Sequence, residues 1–266
     1  MGEEGAKGAL VATASTVLFF GLVIWLIGSS ENWPRVRDQF FNPDDFREAW
    51  PSVLRGFWLN VEIFVYAVIA IPIVSLLIAL MRSLRGPAFF PVRMLAVVYI
   101  DLLRGIPTFL LIVLLGFGVP SLQLDGVPNG ALFWAVVALV LSYSAYTAEI
   151  LRSGVDAVPE SQRSSARALG LTQIQTLRFA ILPQAIRNVV PALMNTVVSL
   201  QKDVALVSVV GIRDALRNAE IYTSRTFNYT SYIVATVLFL LWSVPLTRFV
   251  DWYIARDRAR RSQTQV

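Results

Sequence analysis

The 266-residue sequence contains no cysteine and no histidine. Disulfides and thiolate metal sites are thereby excluded, and no metal ligand set is apparent. Lysine is nearly absent as well: Lys7 and Lys202 are the only two, and neither stands in a G-x-x-x-x-G-K-[ST] setting. The chain therefore has no phosphate-binding loop and does not read as an enzyme that hydrolyses nucleotide. Charge is sparse. Charged residues make up 15% of the chain against 56% hydrophobic ones, and the mean hydropathy is +0.61, too apolar for a soluble domain of this size.

The apolar residues are grouped in long runs. Roughly twenty are needed to cross the hydrocarbon core as a helix, and six segments qualify: 9–27, 58–80, 96–115, 132–148, 192–210 and 232–254. Barrel strands are shorter and alternate, so the chain reads as all-α and polytopic. The first run is preceded by GEEGAKG, which is net acidic, and is longer than a secretory h-region, so it reads as a retained helix.

A net charge of +5 raises the question of nucleic acid, but the arginines sit where a membrane protein places them. Residues 82–93 carry Arg82, Arg85 and Arg93 with no acid, and the tail carries Arg256, Arg258, Arg260 and Arg261 against Asp257. The connections 31–57 and 116–131 are acidic or neutral on balance. By the positive-inside rule both termini and the segment 149–191 are cytoplasmic, and the partner implied by the basic charge is membrane lipid.

Four regions follow: 1–30, an N-terminal end with an extra membrane helix; 31–57, an extracytoplasmic linker; 58–254, the membrane domain; and 255–266, a basic tail. In the linker Pro34 and Pro43 prevent one continuous helix. Phe46, Trp50 and Leu54 recur at helical spacing beside Asp44, Asp45 and Glu48. Two readings stand for that piece: a helix along the outer membrane surface, or a segment packed on helix ends. In 212–227 the charges of Arg213, Asp214, Arg217, Glu220 and Arg225 alternate in sign as on a solvated helix face.

The most informative stretch is the polar interruption 149–191, EILRSGVDAVPESQRSSARALGLTQIQTLRFAILPQAIRNVVP. Its helical periodicity and five arginines present a face to something in water. Pro159 begins a new element, Ala166, Ala168 and Leu169 form a small apolar face, Gly170 permits a bend or close approach, and Pro183 stops a second helical run. Two short helices meeting at a glycine are expected.

Within the spans, Lys202 and Asp203 must each find a partner or a water-filled route, and as helix neighbours they point about 100° apart. Each lines a path or pairs separately with another helix. In the run Arg104 to Thr108, Pro107 breaks the third span, and Arg104 can pair with Asp101 at i, i+3. Glu62, near the outer end of the second span, suits an approaching ammonium, or is merely solvated.

The spacing of Ala166, Gly170, Leu182, Pro183 and Gln184 resembles the cytoplasmic loop by which permease subunits of ABC importers grip their ATPase, and NTVVSLQKDVALVSVVG (195–211) resembles the polar amino-acid uptake branch. The resemblance covers about 56–256. It implies a type I ABC importer permease fold, a five-helix core here preceded by one additional helix, with the coupling loop at 149–190. It further implies an inner-membrane subunit forming the path for polar or charged L-amino acids: glutamate, aspartate or glutamine, with basic amino acids open. The implied partners are ABC ATPase subunits carrying ATP and Mg, a second permease subunit, identical or related, and an extracytoplasmic solute-binding protein. The coupling residues so implied are Pro159, Glu160, Arg163, Ala166, Gly170, Leu182 and Pro183; Lys202 and Asp203 match a Lys-Asp pair of related permeases and so line the path, the run from Arg104 to Pro107 is similar to a family Arg-Gly-x-Pro, which implies that Arg104 holds the bundle or a substrate carboxylate, and Glu149 matches a glutamate that anchors the loop. Where family loops carry glutamate and alanine this chain has Ser164 and Ser165, so Glu160 or Arg163 is left to supply the charged contact. A secondary transporter or channel acting without an ATPase is the alternative, and it predicts inverted repeats that are not found.

Overall fold

The computed structural model describes residues 2–263, and every regular element among them is helical. In chain order these are α1 (Gly2–Gly28), α2 (Trp33–Phe40), α3 (Pro43–Ser83), α4 (Phe90–Gly105), α5 (Thr108–Ser121), α6 (Ala131–Asp156), α7 (Glu160–Ala168), α8 (Gln173–Gln175), α9 (Leu182–Asp203), α10 (Ala215–Thr226) and α11 (Thr230–Gln263). A π-helical run, Thr176–Ile181, joins α8 to α9, and a 3₁₀ run, Val204–Val210, extends α9. Residue 1 and the last three residues of the 255–266 tail lie outside the described residues.

Five helical runs among the described residues are long and apolar enough to cross a membrane, and α4 with α5, bent by 103° at a short break, passes the same test only as a pair. The bend has a local cause. Pro107 disfavours helical geometry in the residue before it, and Ile106 is extended (φ −90°, ψ 127°), after which the chain turns helical again at Thr108. The break expected at Pro107 is therefore present.

At the centre stands α6. Ala135, Ala138, Ser142 and Ala145 are fully buried along it, and their small side chains let neighbouring helices approach closely. Against them pack Ile63, Ala67 and Ile71 of α3, Leu111 and Ile112 of α5, and Leu200, Val204, Val207 and Val210 of the α9 run, in one continuous core. Helix α1 takes no part, since none of its most apolar window is buried.

One open alternative is decided and two expectations need correction. The segment around Phe46 and Trp50 is not a surface helix: α3 runs unbroken from Pro43, its first turn capped by the Asn42 side chain, which accepts from the amides of Asp44 and Asp45. Ala49 and Val53 are buried against Ala215, Ala219 and Val234, so the piece packs on helix ends. Pro183 does not stop a helix. It sits in the first turn of α9, and the run from Gln173 to Val210 is continuous; the π-turn ahead of it absorbs the proline, whose ring would otherwise clash with the carbonyl four residues back. Finally, 212–227 is not solvated throughout. Arg217 and Glu220 pair at the surface at 2.7 Å, but Asp214 is fully buried as the N-cap of α10, accepting from the Arg217 amide at 2.8 Å.

Burial pushes the Asp214 carboxyl up to about 6, against the hydrogen bonds it accepts, which act in the opposite direction. An acid whose folded pKa is raised opposes folding when ionised, and the penalty is relieved as pH falls through the folded value towards the unfolded one. Melting of the wild type should therefore rise relative to Asp214→Asn between about pH 7.5 and about pH 5; a constant or shrinking difference would show that the carboxyl is not held up. A second prediction concerns Gly154. A Cβ there would lie 2.0 Å from Val189 Cγ1 and 3.0 Å from the Ala185 carbonyl oxygen. Gly154→Ala should destabilise the detergent-solubilised protein by about 1–3 kcal/mol, and Val189→Ala in the same chain should recover most of it. Thermal unfolding of the single and double variants checks this.

Candidate functional site

Two groups of residues stand out: a polar cavity within the bundle, and the elbow outside it.

The cavity, about 450 Å³, is bounded by the α4–α5 break, by α6 and by α9. Each element contributes a stripe set by helical spacing. From α6 come Tyr143, Tyr146, Glu149 and Ser153; from α9, Asn195, Ser199 and Asp203, four residues apart; from the break, Arg104 and Thr108. Asp203 accepts a hydrogen bond from the Tyr143 hydroxyl at 2.7 Å. Thr108 Oγ1 lies 2.8 Å from Ser142 Oγ, fixing the first turn of α5 against α6. The Arg104 guanidinium lies over the Tyr146 ring, 5.8 Å from its centroid, and the Tyr146 hydroxyl donates to the Arg104 carbonyl at 3.3 Å. Among the described residues no ion pair joins Arg104 to Asp101; the guanidinium faces the cavity instead. The broken span thus brings a cation and the amino-terminal turn of a 14-residue helix to one side of a cavity that has a carboxylate on another wall.

Lys202 faces elsewhere, as its rotation from Asp203 requires. It lines a larger cavity, about 740 Å³, together with Arg248 and Asp251 of α11. Between the two directions Gln201 is fully buried, its Oε1 accepting from Ser243 Oγ at 2.5 Å. Glu62 is exposed on α3 and lines neither cavity.

Glu149 closes the cavity at the end nearer the elbow. It binds Arg82 at the end of α3 (2.6 Å) and Arg152 (2.5 Å), which also pairs with Asp156. This chain of charges ties the last turns of α3 and α6 together where the elbow begins.

The elbow itself is two helical arms joined at a glycine. Helix α7 ends in a left-handed residue, Gly170 (φ +80°), with Leu171 N–H bonded to the Ala166 carbonyl and Gly170 N–H to that of Arg167, the pattern of a glycine helix stop. A Cβ at Gly170 would meet nothing within 4 Å, so the glycine serves the bend, not close approach. The second arm starts at Thr172, whose side chain caps Gln175 N–H while the Gln175 side chain accepts from Thr172 N–H. The arms are held by a small core of Val158, Ile181 and Ala185, by buried Ala166, and by Gln184 Nε2, which donates to the Ala180 carbonyl at 2.9 Å and to Gln162 Oε1 at 3.4 Å. Arg163 is turned inward. It donates to the Val155 carbonyl at 3.2 Å and pairs with Glu160 at 3.5 Å, so of the two expected charged contacts only Glu160 is presented outward. Pro159 caps α7, and Leu182 and Pro183 are exposed at the start of α9.

Of the apolar side chains at the tip, sequence reasoning pointed to Leu169, which is 82% exposed, but not to Ile174 and Phe179, which are 78% and 64% exposed. It also missed Tyr143 and the α9 stripe, although the four-residue spacing of Asn195, Ser199 and Asp203 was a usable signal.

The family described as "Binding-protein-dependent transport system inner membrane component" matches residues 87–258. Among curated relatives, the arginine transport system permease protein ArtQ of Bacillus subtilis (strain 168) is 32% identical over 211 residues, covering 77% of this chain and 92% of its own. The probable glutamine ABC transporter permease protein GlnM of the same organism is 32% identical, with 74% and 89% covered. Among solved structures, a crystal structure of an amino acid ABC transporter with histidines superposes with a TM-score of 0.70 at 32% identity, over 77% of this chain and 94% of that one. An inward-facing MetNI methionine ABC transporter superposes at 0.61 with 18% identity, over 77% and 96%, a likeness of fold. The chain belongs to the binding-protein-dependent transport inner-membrane family, and within it to the amino-acid ABC importer permeases.

Proposed function

We propose that this subunit forms the passage for a polar or charged L-amino acid, and that the cavity between the α4–α5 break, α6 and α9 holds the zwitterionic part common to such substrates. The observation that supports this most is the opposition of Arg104 and the α5 amino terminus to Asp203 around one polar cavity. A substrate carboxylate fits the first pair, because backbone N–H groups at a helix start and a guanidinium both favour an anion. The substrate ammonium fits Asp203, whose second oxygen is left free by Tyr143. The relatives named for arginine and glutamine transport differ in side-chain charge but share this backbone, which accords with recognition at the backbone and selection of the side chain elsewhere.

The elbow is the seat of a separate ATPase that carries ATP and Mg. Leu169, Ile174 and Phe179 are exposed, with the Arg178 guanidinium over the Phe179 ring at 5.6 Å from its centroid; covering them in a groove of the partner removes apolar surface from solvent. Glu160 supplies a charged contact at the rim. The Arg82–Glu149–Arg152 chain passes the displacement from the elbow to the ends of α3 and α6. In this reading the elbow and both termini lie in the cytoplasm of a bacterium, a second permease subunit completes the passage, and a solute-binding protein delivers substrate from outside.

The experiment is reconstitution with a candidate ATPase, second permease and binding protein, followed by measurement of amino-acid uptake and ATP hydrolysis. Wild-type uptake should require the ATPase; uptake that persists without it would favour a secondary transporter. Asp203→Asn and Arg104→Gln should each weaken the apparent substrate affinity about tenfold, the loss of one charged contact, with ATPase pulldown unchanged. Gly170→Trp should abolish pulldown while the chain still inserts, because bulk at the bend blocks seating. Normal pulldown and transport in Gly170→Trp would place the ATPase elsewhere.

A further inference from the structure

Asn60 lies near the start of the apolar run of α3 and is fully buried. Its amide is completely used. Nδ2 donates to Asp214 Oδ2 at 3.0 Å and to the Val204 carbonyl at 3.3 Å, while Oδ1 accepts from Ala215 N–H at 3.1 Å. Only one orientation of the amide meets a carboxylate and an N–H together, so the placement of its oxygen and nitrogen is fixed by the partners. One side chain thus pins both ends of a single segment, residue 204 at its start and residues 214 and 215 beyond its end.

That segment is unusual. Val204–Val210 is a 3₁₀ run of seven residues, whereas such runs seldom exceed three or four because their hydrogen bonds are poorer. At three residues per turn Val204, Val207 and Val210 share one stripe, and all three are buried, with Val210 against Gly116 of α5. Gly211 (φ +80°) ends the run, and the α10 cap at Asp214 follows. Immediately before it come Lys202 and Asp203, one on each of the two cavities. Relaxation of seven residues from a rise of about 2.0 Å to about 1.5 Å would shorten the segment by about 3.5 Å and rotate whatever precedes it.

We propose that Asn60 is a positioning residue for transport: by binding Val204 and the Asp214 cap it holds 204–210 in 3₁₀ form and so sets the register of Lys202 and Asp203, and its release accompanies the change of state of the passage. Asn60 lines neither of the two cavities; it acts through the backbone it holds. The proposal rests on the passage reading given above.

The test is the number of amino acids taken up per ATP hydrolysed by the complete importer in proteoliposomes, with thermal melting and complex yield measured alongside. The wild type decides the passage reading by itself: without uptake that reading fails, whatever Asn60 does. Given uptake, Asn60→Ser should lower the ratio about tenfold, within the usual range of coupling effects, through ATP hydrolysis that no longer waits for the loaded binding protein. The exchange Asn60→Asp with Asp214→Asn restores an amide–carboxylate pair with reversed polarity but leaves the Val204 carbonyl without its donor, so it should recover part of the ratio. An assembled Asn60→Ser complex with the wild-type ratio overturns the proposal, as does an exchange variant no better than Asn60→Ser. Where Asn60→Ser yields no complex, Asn60→Gln, which keeps the amide but displaces it by one methylene, is read the same way; loss of assembly in both makes Asn60 a folding pin and overturns it too.

Discussion

Hydrocarbon offers no partner to a backbone N–H or carbonyl, so a span can depart from α-helix only where protein or enclosed water takes over the freed groups. This constraint organises the molecule. Two spans break the rule, one at the α4–α5 bend and one at the 3₁₀ run after α9, and both do so against α6. The small residues of α6 allow the close packing that encloses them. Irregular backbone and polar side chains are thereby gathered on one side of a single helix, and that is where the polar cavity opens.

The same helix links the inside of the bundle to the elbow. Its end nearer the elbow carries Glu149, bound to two arginines, and Gly154, which lets α9 approach so near that a methyl group would collide with Val189. The elbow's second arm is continuous with α9 through the π-turn, so the segment that lines the cavity and the segment that leaves the membrane are one rod. A push on the tip has no flexible linker in which to dissipate. A glycine bend with a hydrogen-bonded stop and a capped second arm makes the tip stiff for its size.

How far this was legible in the sequence depended on the range of the signal. Five of the six apolar runs were legible as single spanning helices because length and apolarity are local, and the break at Pro107 in the remaining one because proline acts on its own neighbour. The divergence of Lys202 and Asp203 followed from helical rotation alone. Pro183 was misread because a proline at the first turn of a helix and a proline after its last turn look alike in a string of letters; the π-turn that decides between them leaves no compositional mark. Asp214 was misread because its charged neighbours on α10 suggested a solvated face, whereas its partner Asn60 is 154 residues away. Asn60 itself, one of three polar residues in the apolar run with Glu62 and Ser75, gave no local sign of what it holds.

Central to the account is that the elbow is gripped by a separate ATPase and moves the cavity wall as a unit with α9. The most direct measurement is a cryo-electron map of the intact importer with amino acid bound, in nucleotide-free and nucleotide-bound states. The account predicts Leu169, Ile174 and Phe179 buried in a groove of the ATPase in both states, with substrate density between Arg104 and Asp203 in at least one and the elbow and α9 displaced together. An elbow tip free in solvent, or one that moves while α9 stays fixed, would contradict it.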